Sequence, residues 1–255
     1  MRAALAGGRY EAAVIRSSPA ELTWLFVAPL YTVILLAIVE HAGRTDLAAY
    51  AVLGPAMMAI VGMAIFSAGE FIDRDRWDGI LELELAAPAS FPVVLVGRIL
   101  TVVVVGLVAV VEAWFVAGLG FGRWVQVHHP AIFVVTLLLT VAATVGAATA
   151  MSAVFVLARS ARIFQNSLSF PLFVLGGAVV PVALLPGWLR PATRLVYLSW
   201  STDLLRDSTR PEQVADLWWR WGAVAGLGLL GFAAGAYLVK RVDDRVRALG
   251  TVTYA

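Results

Sequence analysis

No cysteine occurs in the 255 residues. The chain therefore forms no disulfide, holds no metal or cluster through thiolates, and carries no mark of a redox compartment. Charge is scarce too: Asp, Glu, Lys and Arg make up 14% of the residues, where a soluble domain has about 25%. Lysine is nearly missing, since Lys240 is its one occurrence and arginine does the rest, a bias that goes with a GC-rich genome. Three motifs are absent as well. There is no GxxxxGK[ST] phosphate loop, no HExxH and no GxSxG, so the chain shows no recognisable ATPase, zinc-protease or serine-hydrolase site.

What is present is apolar. Hydrophobic residues make up 61% of the sequence, and the mean hydropathy is +0.86. A soluble fold of this size cannot hide that much apolar surface, so an all-α polytopic membrane protein is predicted. The net charge of +2 says little, because in a bilayer the placement of charge matters more than its sum.

The apolar runs predict six transmembrane helices in one domain covering 1–255: residues 22–39, 47–68, 93–119, 131–157, 163–185 and 218–239. Residues 1–21 carry Arg2, Arg9 and Arg16 among regularly spaced apolar residues, and read as an N-terminal helix on the membrane surface. The Gly7-Gly8 pair is expected to loosen it. Ser18, Pro19 and Glu21 suit the N-cap, N1 and N3 positions of the first span. Asn166, Pro171, Gly176, Gly177 and Pro181 predict a broken or kinked fifth span. Residues 186–217 are too polar to cross and rich in tryptophan, as at a membrane interface, where short helices lie flat or dip in. Gly222/Gly226 and Gly231/Gly235 have the GxxxG spacing of close helix packing. Residues 240–255 form a basic tail. Both termini then share a side with 12 basic residues, against 7 on the other. The excess predicts cytoplasmic termini, with residues 186–217 outside.

Within this oil lies one charged interval, Glu70 to Pro88, between the second and third spans. It sets Glu70, Asp73, Arg74, Asp75, Arg76, Asp78, Glu82 and Glu84 among Phe71, Ile72, Trp77, Ile80 and Leu81. A helix with one wet and one greasy face accommodates that mixture. A bilayer core does not, since each unpaired charge there costs roughly 2.5–3.5 kcal/mol. Gly79 interrupts any helix, and Leu83 to Ala87 alternates as a strand would. Asp75-x-x-Asp78-Gly79 matches the opening of the metal-binding DxxDGxxAR signature of membrane phosphotransferases, but Glu82 and Leu83 stand where Ala and Arg are required. His128-His129 sits in an apparent turn and is read as an interfacial loop rather than a metal site; no metal is expected. Glu112 lies roughly 21 Å along the helix from Arg98, in the outer part of the third span. It is a candidate for the substrate path, or a structural hydrogen-bonding group near the interface.

The segment resembles the hallmark of the permeases of type-2 ABC exporters. Its elements are Glu70, Arg74, Arg76, Gly79-Ile80-Leu81-Glu82, Pro88-Ala89-Ser90 and Gly97-Arg98, with Leu185-Pro186-Gly187-Trp188-Leu189 before the last span. The resemblance implies a multi-pass permease of the bacterial plasma membrane that is not itself an enzyme. It implies a homodimer or heterodimer of permeases bound to a separate cytoplasmic ABC ATPase, which would carry the ATP and Mg. The segment 70–88 would be the coupling helix on that ATPase, with Glu70, Arg74, Arg76, Trp77, Asp78, Gly79, Glu82 and Pro88 as its contact residues. The cargo would be an amphipathic drug, lipid or lipid-linked molecule. No cofactor on this chain and no nucleic-acid partner are expected. Two rivals are a metal-dependent phosphotransferase using Asp75 and Asp78, and a membrane anchor for an ATPase that moves nothing.

Overall fold

The computed structural model describes residues 2–17, 23–79, 91–157 and 161–249. Among the described residues the fold is helical, with no strand. The helices are α1 (Arg2–Ser17), α2 (Thr23–His41), α3 (Ala48–Trp77), α4 (Phe91–Gly106), α5 (Val108–Phe115), α6 (Pro130–Leu157), α7 (Ala161–Leu175), α8 (Arg190–Thr193), α9 (Tyr197–Asp207) and α10 (Leu217–Leu249). Four stretches are long and apolar enough to cross a bilayer: Thr45–Trp77, Phe91–Gly120, Pro130–Ser152 and Leu217–Arg241, with Leu25–His41 a shorter apolar helix.

Helix α3 is the axis of the molecule. It packs against α2, α4, α5, α6, α7 and α9, and its apolar stretch is almost wholly buried. Small and flexible side chains, from Ala51 through Met57, Met58 and Met63 to Ala68, let neighbours close in on every side. Gln165 of α7 reaches across and donates to the Ile65 and Phe66 carbonyls at 3.2 and 2.7 Å. The helix has 30 residues, so it is ~45 Å long and outruns a hydrocarbon core of ~30 Å. The predicted second span ends at residue 68, yet the helix continues without a break through Glu70 to Trp77. The first half of the charged interval is thus the end of α3, not a separate loop helix. Gly79, at φ +67°, follows the Asp78 cap, which is the interruption its sequence predicts.

The third predicted span is a relay of α4, α5 and a π-helical turn at Val116–Gly120, joined at Leu107. The fifth is broken, as its Pro and Gly content predicts. Helix α7 stops at Leu175, and Gly177 turns the chain at φ +68°. At 15 residues it is ~22 Å long. The remainder to Leu185 is turn and a short 3-10 piece at Val182–Leu184.

The densest helix pair is α6 against α10. Gly228 sits on Ala143, Gly231 on Ala147 and Gly235 on Ala150, where an added Cβ would meet backbone or Cβ atoms at 2.8, 3.2 and 2.5 Å. The pairing predicted for Gly231/Gly235 is therefore real, but a Cβ added at Gly222 or Gly226 would meet nothing within 4 Å among the described residues. The contact face is offset toward Gly228 instead. Trp221 closes the pair by donating to the Thr136 hydroxyl at 2.9 Å. The two histidines staple a loop: His128 bonds the Thr209 carbonyl oxygen at 2.8 Å and His129 that of Glu212 at 2.9 Å.

Candidate functional site: the charged end of helix α3

Helix α1 packs along α4, and Gly7-Gly8 does not loosen it. The pair is where α1 crosses α4. A Cβ on Gly97 would strike the Ala4 carbonyl, one on Gly7 would strike the Val94 carbonyl, and one on Gly8 would lie 2.8 Å from the Thr101 hydroxyl. Backbone-to-backbone approach of this kind needs glycine on both helices. The Thr101 hydroxyl, 3.0 Å from the Gly97 carbonyl oxygen and 3.4 Å from that of Gly8, lies across the crossing.

That close crossing delivers Glu11 into the interior. Its carboxylate accepts from Arg98 Nε at 3.1 Å and from Arg74 Nη2 at 3.4 Å. The other end of the Arg98 guanidinium grips Asp75, with Nη1 on Oδ2 and Nη2 on Oδ1. Arg98 also stacks over Phe71 at 4.4 Å and lies 5.1 Å from the Tyr10 ring. Arg98, Glu11 and Asp75 are essentially inaccessible to solvent. Among the described residues two carboxylates thus face two guanidiniums in a largely buried quartet that ties α1, α3 and α4 together. Such a cluster is tolerable only because each charge is paired.

The quartet fixes the end of α3, and the rest of the predicted contact residues emerge from it. Phe71 and Ile72 turn inward. Glu70 is exposed. Arg76 is half-buried and pairs with Asp73 at 3.6 Å. Trp77 is 88% exposed, and Asp78 and Gly79 are exposed beyond it. Among the described members of the predicted set, Arg74 turns onto Glu11. Glu82 and Pro88 lie outside the described residues, as do Ile80, Leu81 and the Ser18–Glu21 cap.

Asp75 and Asp78 do not form one site. Asp75 is spent on Arg98, and Asp78 faces solvent. Among the described residues no three His, Cys, Asp or Glu side chains come together as metal ligands. Glu112 stands on α5, half-buried, with Oε2 enclosed and without a hydrogen-bond partner among the described residues.

Residues 8–209 match the family model of the ABC-2 type transporter. The chain belongs to this family. No curated protein matches the sequence. The ABC-2 match begins just ahead of Glu11 and takes in Arg74, Asp75 and Arg98, so the whole quartet lies inside it. The chain is accordingly an ABC-2 permease component and a multi-pass helical membrane protein. Sequence reasoning placed Arg98 in the hallmark and Asp75 in a rival site, but missed that the two pair. Glu11 gave no signal, since it is a lone acid in a short helix, brought to Arg98 across 87 positions by tertiary packing.

Proposed function

We propose that this ABC-2 permease is the membrane half of an exporter, paired with itself or a second permease, and driven by ATP hydrolysis on a separate cytoplasmic ATPase. In this reading the chain crosses the bilayer six times, with α2 and the α7 region supplying two of the passages, and both termini face the cytosol. The ATPase grips the end of α3 and the residues after it, through Glu70, Arg76, Trp77, Asp78 and Glu82. The single observation that carries the proposal is the pairing of an exposed, aromatic-tipped charged end with a rigid buried clamp directly behind it. Trp77 at 88% exposure has the character of an interface anchor, and charges around it suit register-setting ion pairs. A force applied there passes to α1 and α4 through Arg98 rather than dissipating in a loose loop. Such stiffness is what a rigid-body lever requires. The apolar character of the bundle favours an amphipathic cargo.

Arg76→Glu and Glu82→Arg test the docking surface. Each should weaken co-purification of the ATPase and lower ATP-dependent export at least tenfold, with insertion and yield of the permease unchanged. Normal export from both variants would remove this surface from the mechanism. ATP hydrolysis that no amphiphile stimulates in the reconstituted complex would favour the anchor alternative.

A further inference from the structure

A recess of about 490 Å³ opens between α9 and the start of α10, and its lining is charged and aromatic, with no aliphatic side chain. Asp203 and Asp207 line it from α9, one turn apart on the same face. Arg194 pairs with the first at 3.4 Å and Arg220 with the second at 2.7 Å. Further cations stand close by. Arg210 lies 3.5 Å from Asp207, and the buried Arg206 interacts with both acids. Two carboxylates therefore answer four guanidiniums, which leaves an excess of positive charge around them. Both lining arginines also keep donors to spare. Arg194 bonds Asp203 through Nη1, and Arg220 bonds the Ala215 carbonyl oxygen and Asp207 through Nη1. Their Nε and Nη2 groups make no hydrogen bond among the described residues. The Arg194 guanidinium lies over the Trp200 ring at 4.4 Å, and Trp200 Nε1 donates to the Arg194 carbonyl oxygen at 3.0 Å. That stacking holds the guanidinium at the recess.

Two lining groups have the other character. Asp216 is exposed at the turn into α10, at φ +52°, and its carboxylate makes no ion pair or hydrogen bond among the described residues. Trp219, from the first turn of α10, presents an exposed ring to the same recess. A carboxylate beside an aromatic face suits an ammonium group. Position then selects the class of ligand. The stretch Leu217–Arg241 of α10 is long and apolar enough to cross a bilayer. Trp218 and Trp219 are exposed at its start, the level at which tryptophan gathers between lipid and water. The recess therefore lies at the height of the lipid headgroups. Its volume falls within the ~300–1,000 Å³ of small-ligand sites.

We propose that this recess binds the headgroup of a zwitterionic phospholipid, with its phosphate on Arg194 and Arg220 and its ammonium against Asp216 and Trp219. A guanidinium offers paired N–H donors that match phosphate oxygens. An anionic lipid would satisfy the two arginines and leave Asp216 facing a negative headgroup. The inference needs α10 to cross the membrane and asks nothing of transport or of an ATPase.

The test uses the full chain in a neutral detergent, with no ATPase present, so failure of the transport reading cannot be mistaken for failure of this one. Bound lipid is read by native mass spectrometry. The probes are dioctanoyl phosphatidylethanolamine, dioctanoyl phosphatidylglycerol and free phosphoethanolamine. The ethanolamine lipid should bind saturably, one per chain, and at least tenfold more tightly than the glycerol lipid. Arg194→Gln should weaken both lipids by about tenfold, as for a lost charge-assisted hydrogen bond. Asp216→Asn should bring the two lipids level, and Trp219→Ala should weaken the ethanolamine lipid alone. These three side chains are exposed, so the variants should keep the unfolding midpoint of the unmodified chain. Equal affinity for the two lipids in the unmodified protein would overturn the proposal without recourse to any variant. A preference that survives intact in Asp216→Asn, or undiminished binding to Arg194→Gln, would do the same. Free phosphoethanolamine that competes at the concentration of the lipid would assign the recess to a soluble ligand and overturn the lipid reading.

Discussion

At the scale of single residues, Arg98 bears the greatest burden. Its guanidinium serves two carboxylates on two different helices, and both are buried. Arg98→Ala would leave Asp75 without its partner and Glu11 with Arg74 at 3.4 Å. Removing one member of a buried pair costs ~3–5 kcal/mol, because the abandoned charge stays desolvated. We expect a loss of that order, read as a lowered unfolding midpoint in detergent. Arg98→Lys should fall between, since an ammonium cannot fork onto both acids. A loss below ~1 kcal/mol for Arg98→Ala would place the quartet in the class of surface ion pairs and remove the clamp from the coupling argument.

At the scale of elements, what decides is how closely backbones approach. Helix α1 reaches Arg98 only because Gly7, Gly8 and Gly97 allow the crossing with α4. Gly97→Val should push α1 outward, withdraw Glu11 from Arg98, and destabilise about as much as Arg98→Ala. Combined with Arg98→Ala it should add little, as for residues of one network. Gly222→Ala offers the contrast, since a Cβ added there would meet nothing within 4 Å among the described residues. It should be neutral or stabilise by ~0.5–1 kcal/mol, because alanine favours the helix. A midpoint for Gly97→Val close to that of Gly222→Ala would contradict the crossing. The same elements show what the sequence could and could not reveal. Apolar runs mark α3, α4, α6 and α10 because a bilayer imposes length and composition. The break near Gly176-Gly177 was legible because Pro and Gly act locally on the backbone. The role of Gly7-Gly8 was not, because loosening and close crossing use the same residue and only the neighbour distinguishes them. The offset of the α10 contact toward Gly228 was hidden for the same reason: GxxxG spacing fixes a helix face, and the partner selects which glycines on it touch. Asp75 joined the wrong partner because Asp78 is near in sequence, whereas Arg98 is near only once α3 and α4 pack.

At the scale of the whole molecule, the two ends of α3 have different chemistry. One ends in the charged quartet and the exposed Trp77; the other meets Arg206, roughly 30 Å away along the helix between Gly54 and Asp75. A helix of ~45 Å outruns a core of ~30 Å, so Trp77, exposed at its charged end, should project into water on one side. Trp188, 79% exposed in the segment after α7, should project at the other. The absence of cysteine makes this directly measurable, because any introduced thiol is the sole one. Trp77→Cys and Trp188→Cys each replace an exposed side chain and should leave the fold intact. With an impermeant maleimide, Cys at 188 should react in intact cells, and Cys at 77 only after the membrane is opened or in inverted vesicles. Reaction of both from the same face would refute the six-span arrangement. Reaction of Cys at 77 from outside would do more, since an ATPase in the cytosol would have nothing there to hold.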